Sequence, residues 1–151
     1  MRKLLATPND GVLLLLRVVL GVVMFAHGAQ KALGWFGGPG FSGTMQMFTG
    51  MHIPYGIAIL PVIAEFLGGL GLIVGFLARI AALGILCDML VAVWLVHSHN
   101  GFFMNWTGQQ KGEGFEYHLL AIVIAIAIVV RGSGMASIDR ALSRPAATVR
   151  A

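Results

Sequence analysis

Ile57-Ala-Ile-Leu-Pro61-Val-Ile-Ala-Glu65-Phe-Leu-Gly-Gly69-Leu-Gly-Leu-Ile-Val-Gly75-Phe-Leu77 is an apolar run broken by one ionisable residue, Glu65. Its length matches the roughly 20 residues that a helix needs to cross a bilayer. Pro54 and Pro61 fall near its start, where proline is most easily accommodated. Three more stretches read the same way, giving predicted spans at about 11–29, 57–77, 80–96 and 116–131. The last reaches only about 22 Å at helical rise, so it either extends back past Gly114 or sits in a locally thinned bilayer.

The rest of the 151-residue chain agrees with a membrane setting. It is 58% apolar and 11% charged, whereas a soluble domain carries roughly a quarter charged residues. After four spans, what remains makes loops and tails rather than a soluble catalytic domain. The predicted fold is an all-α, polytopic four-transmembrane-helix bundle forming one domain over residues 1–151. Ten basic residues give a net charge of +4, but they form no basic stripe, which excludes a nucleic-acid partner. Cys87 is the single cysteine; it excludes an internal disulfide and reads as an inert packed thiol. The basic start Met1-Arg2-Lys3 before an apolar run resembles a secretory signal, but Arg17 interrupts that run, which reads as a retained span.

Arg2, Lys3, Arg79, Arg131, Arg140, Arg144 and Arg150 lie beyond the spans on one side, and Lys31 and Lys111 on the other. By the positive-inside rule, both termini and the turn at Arg79 are cytoplasmic. The two long loops then face outward from a bacterial cytoplasmic membrane. In the first, Phe41, Met45, Phe48 and Met51 follow Ser42, a potential cap, at helical spacing, which predicts a short amphipathic interfacial helix. In the second, Phe102, Phe103 and Trp106 suit an interfacial aromatic belt. These loops either anchor the bundle or roof an outward cavity. Small and basic residues from Arg140 to Ala151 predict a flexible cytoplasmic tail.

Charge within a span is expensive, so it faces the bundle interior and finds partners. Arg17, Glu65 and Asp88 sit at depths of roughly 9, 18 and 13 Å, which predicts an intramembrane charge network serving packing, ligand binding or proton movement. At the outer ends gather His27, His97, His99, Glu116 and His118, with Lys31. Residues two apart differ by about 200° on a helix, so only one of His97 and His99 faces inward, and likewise for Glu116 and His118. His99 shares the phase of Asp88 and is the favoured member of its pair. No two of these residues have a metal-binding spacing on one helix, so a metal or haem site is not expected. A quinone headgroup needs only a hydrogen-bond donor and a protonatable partner beside an apolar groove. His27, Lys31, Glu116 and His99 are the candidate quinone-binding residues.

Arg17-Val-Val-Leu-Gly21, then His27-Gly28-Ala-Gln-Lys31, Ala64-Glu65-Phe-Leu-Gly68-Gly69, Gly75-Phe-Leu-Ala-Arg79, Gly101-Phe-Phe, Glu116-Tyr117 and Gly132-Ser-Gly134 together resemble the DoxX family of small four-helix membrane proteins. The likeness runs from about Gly11 to Asp139. It implies motif positions at Arg17, His27, Lys31, Glu65, Arg79 and Glu116. It also implies a setting in quinone-linked oxidoreductase systems or beside oxidative-stress enzymes, with no family-wide reaction and no flavin, haem or iron-sulfur ligand set.

Three function classes follow. One is a membrane redox subunit that binds quinone outwardly while a partner enzyme supplies electrons. Another is a non-enzymatic scaffold or assembly partner, docking through small-residue helix faces or loop aromatics. A small-solute transporter ranks third, since four short spans show no inverted repeat and would need a homo-oligomer to form a path.

Overall fold

The Asp10 carboxylate accepts the backbone N–H of Val12 at 2.8 Å and of Leu13 at 3.2 Å, capping the donors that a helix start leaves free. The first long helix begins there. The computed structural model of the chain describes residues 2–143, with side chains from Leu4 onward. Among these residues lie α1 (Arg2–Leu5), α2 (Gly11–Leu33), α3 (Gly40–Gly50), α4 (Tyr55–Val74), α5 (Ala78–Leu95), α6 (Glu116–Arg131) and α7 (Ile138–Ser143), with 3-10 turns at Trp35–Gly37 and His97–Asn100. No described residue is in a strand. Helices α2, α4 and α5 are long and apolar enough to cross a membrane, and the chain is a multi-pass membrane protein.

Glycine sets the packing of α2 on α4. A Cβ on Gly28 would lie 2.3 Å from Phe66 N, and one on Gly69 would lie 2.5 Å from Phe25 N. The two backbones therefore meet with no side chain between them, as small residues allow in membranes. The core runs through Leu20 and Met24 of α2, Leu72 of α4, Ile85 and Met89 of α5 and Ile128 of α6. Opposite faces leave Leu60, Leu67, Leu83, Leu120 and Val123 exposed, apolar surface suited to hydrocarbon rather than water.

Several boundaries differ from the sequence expectation. Helix α2 continues to Leu33, where Gly34 stops it with φ 73°. It thereby carries Lys31 inside a helix expected to end near Ala29. Helix α6 does not extend past Gly114: a Cβ on that glycine would lie 2.3–2.7 Å from the carbonyls of Phe103, Gly101 and Phe102. The backbone is held against that loop, and Glu116 N–H donates to Phe102 O at 2.9 Å. Helix α3 forms where expected, but it starts at Gly40, and no side chain caps it, so Ser42 is not its cap. Met45 of α3 packs with Ala58 and Val62 of α4, while Phe41 and Met51 are exposed. Of the tail expected over 140–151, Arg140 to Ser143 belong to α7; residues 144–151 lie outside the described residues.

Candidate functional site

Small residues on facing sides of α4 and α5 line a groove. Ala64 and Gly68 of α4 face Gly84 and Ala81 of α5, and all four line one cavity. This cavity has a volume of about 1970 Å³ and walls that are overwhelmingly apolar. Its polar groups gather where α2, α6 and the turn after α5 converge: His27, Lys31, Glu65, Asp88, His97 and Glu116 all line it.

Gly28 brings α2 onto the backbone of Glu65 and Phe66. One turn further along, Lys31 Nζ donates to both carboxylate oxygens of Glu65. Glu65 is only 4% exposed, and this ammonium is its neutralising partner. Asp88 lines the same cavity as Glu65, and its buried Oδ2 receives no donor from any N–H or hydroxyl group. On α6, the Tyr117 hydroxyl and His118 Nδ1 are likewise buried without partners. The rings form a row: His27 to Tyr117 is 6.0 Å between centroids, Tyr117 to His118 5.3 Å, and His118 to His97 4.0 Å. At the end of the row, His97 Nδ1 lies 2.8 Å from Glu113 O.

Of the expected quinone residues, His27, Lys31 and Glu116 line the cavity; His99 does not. The phase that His99 shares with Asp88 holds only on a helix continuing that far, but α5 ends at Leu95 and a 3-10 turn follows. That change of pitch turns His97 inward and leaves His99 exposed. Glu116 and His118 both line the cavity, against the expectation that only one could. Glu116 stands on the first turn of α6, where its carboxylate reaches the loop rather than the bundle axis. It accepts Met104 N–H at 2.9 Å and Trp106 Nε1–H at 3.0 Å.

The expected network of Arg17 with Glu65 and Asp88 divides. Arg17 is wholly buried, but its guanidinium donates to backbone carbonyls: Ser133 at 2.8 Å, Ile73 at 2.7 Å, Ala136 at 3.0 Å, and Leu72. These carbonyls end α4 and follow α6, where unpaired oxygens and the negative end of the helix dipole attract a cation. Glu65 is taken by Lys31 instead, from the opposite end of α2. Arg79, expected as an orientation marker, acts like Arg17: it donates to Val129 and Val130 at the end of α6 and to Ala6.

Sequence reasoning missed Asp139, which is 2% exposed and accepts Leu77 N–H at 2.7 Å and Ala78 N–H at 2.9 Å, capping α5. Its position in a stretch read as the approach to a tail concealed it. Ser133 and Ser137, buried and hydrogen-bonded to each other at 2.9 Å, were missed too, although Gly132-Ser-Gly134 marked the place. Cys87 is exposed on the groove rather than packed inside. Among the described residues, no three His, Cys, Asp or Glu side chains gather as a metal site.

Residues 12–98 match the DoxX family. The chain is similar to "Inner membrane protein YqjF" of Escherichia coli (strain K12), with 32% identity over 111 residues, 74% of this chain and 81% of the relative. It is also similar to "Putative oxidoreductase CatD" of Bacillus subtilis (strain 168), with 26% identity over 126 residues, 83% of each chain. No solved structure matches the chain significantly.

Proposed function

Because the chain belongs to the DoxX family, we propose that it serves as the membrane subunit of a quinone-linked redox or oxidative-stress system, holding a quinone in the α4–α5 groove. The observation that carries this reading is the polarity of the cavity, an apolar channel between helices that ends in one cluster of polar side chains. Such a site suits an amphipathic ligand with a long apolar tail and a small polar head. His27 is exposed within it, and Lys31 stands beside it as a donor. A bound quinone supplies two-electron chemistry that no side chain here provides, and a partner enzyme delivers the electrons. The name of the Bacillus relative, an oxidoreductase, points the same way.

In this reading α6 is a fourth, short span and α3 lies at the outer interface. Arg79, Arg131 and Arg140 mark the cytoplasmic side of a bacterial cytoplasmic membrane. Lys31 is engaged with Glu65, which leaves Lys111 as the free basic residue on the outer side among the described residues and strengthens the charge asymmetry. Both termini are then cytoplasmic.

The test is thermal stabilisation of the purified protein in nanodiscs by a ubiquinone or menaquinone. Stabilisation is expected for the wild type. It should weaken by about tenfold in apparent affinity in His27→Ala, which removes a head-group contact, and in Gly84→Leu, which fills the groove. Wild-type protein indifferent to both quinones contradicts the proposal. It would favour the scaffold reading, in which these helix faces bind another membrane protein.

A further inference from the structure

Three buried polar atoms without partners lie around one cavity: Asp88 Oδ2, Tyr117 Oη and His118 Nδ1. Buried polar atoms are nearly always satisfied by protein or by ordered water, so three orphans together call for an explanation. Their neighbours supply one. Asp88 and Glu65 line the same cavity, and an Asp88 carboxyl whose buried Oδ2 receives no donor is stabilised by holding a proton. The nearby cation, Lys31, is committed to Glu65 and balances one negative charge. A second carboxylate in this apolar setting is too costly to leave ionised. Lys31, Glu65 and Asp88 therefore form a neutral trio of one ammonium, one carboxylate and one carboxylic acid.

The other two orphans, Tyr117 Oη and His118 Nδ1, belong to residues that line the same cavity. The groups facing it are His27 and Lys31 from α2, and Tyr117 and His118 from α6; His97 continues the row from the turn after α5. Tyr117 lines the same cavity as Glu65 and Asp88. Its ring is 5.3 Å from His118, which is 6% exposed and 4.0 Å from His97. His97 is half-buried and lies 2.8 Å from the exposed Glu113 carbonyl. The row thus runs from a surface loop into the cavity that Asp88 lines, through groups that both donate and accept protons.

We propose that Asp88, in the cavity that the Lys31–Glu65 pair also lines, is a proton-holding site within the membrane, connected to the surface at the start of α6 by a water-bridged path through Tyr117, His118 and His97. Waters bridging the row complete the bonds that Tyr117 Oη and His118 Nδ1 lack, and a bound proton accounts for Asp88. Each transfer moves one proton and no electron: loss of the proton leaves both carboxylates charged against one ammonium, and uptake restores neutrality. The inference goes beyond the quinone reading and does not need it. It would give a ligand in the groove a proton source beside its polar end.

The test uses the full chain in nanodiscs without quinone and reads the infrared C=O stretch of a protonated carboxyl group at near-neutral pH, together with its shift in D2O. The wild type should show this band, Asp88→Glu should move it, and Asp88→Asn should abolish it. Exchange of the band after transfer to D2O should slow by about tenfold or more in His118→Phe and in Tyr117→Phe, as expected when a positioned proton carrier is removed. A wild type with no such band, or a band unchanged in both Asp88 variants, overturns the proton site. Exchange as fast in both α6 variants as in the wild type overturns the path. Since no quinone is present, failure here is separate from failure of quinone binding.

Discussion

Arg17 shows how a buried charge is accommodated without a counter-charge in contact. Four carbonyl oxygens surround its guanidinium, and the five N–H donors of Arg suit such a fork as no single ammonium does. Arg17→Leu should lower stability by about 1–3 kcal/mol through the carbonyls left unpaired, read as a fall in melting temperature in detergent. Arg17→Lys should recover only part of the loss. The same change made together with Glu65→Gln should be additive, because the two residues belong to different networks. Lys31→Met and Glu65→Gln, by contrast, should couple: each alone leaves a charge uncompensated, and the double variant should recover about 1–3 kcal/mol relative to the sum. Sequence alone showed that Arg17 and Glu65 were buried charges, because an ionisable residue in an apolar run has few alternatives. It misassigned their partners, since depth along a span says nothing about which carbonyls a neighbouring helix end presents.

At the scale of elements, the bundle depends on close backbone contact. The glycines of α2 and α4 were legible as small-residue faces, and the structure puts Gly21, Gly28 and Gly69 into one tight seam. Gly28→Ala should destabilise by about 1–3 kcal/mol, since its new methyl group would meet the Phe66 backbone, whereas Gly50→Ala, with open space around it, should leave the melting temperature unchanged. The histidines were harder to place. Helical phase assumed that α5 ran on beyond Leu95; a 3-10 turn of four residues exchanged the roles of His97 and His99. Asp139 was hidden for a related reason: it caps α5 from a segment more than sixty residues later in the chain, a relation that no local pattern reveals.

Taken whole, the molecule has two unlike ends. One is held by Arg17, Arg79 and Asp139 against backbone groups and is structural. The other gathers His27, Lys31, Glu65, Asp88 and His118 around the mouth and floor of a groove. The membrane class and the all-helical fold were readable from composition and span length, while the groove was not, because its walls come from helices and loops that only the folded bundle brings together. With Cys87→Ser as background, Lys111→Cys should react with an impermeant maleimide added to intact cells, and Ser143→Cys only after lysis. The reverse pattern would invert the proposed topology. The most direct measurement of the central claim is quinone-dependent thermal stabilisation of the purified chain in nanodiscs, with wild type and Gly84→Leu compared side by side. The wild type should show a rise in melting temperature that saturates with quinone, weakened by about tenfold in apparent affinity when the groove is filled. An equal rise in both proteins, or none in the wild type, would contradict it.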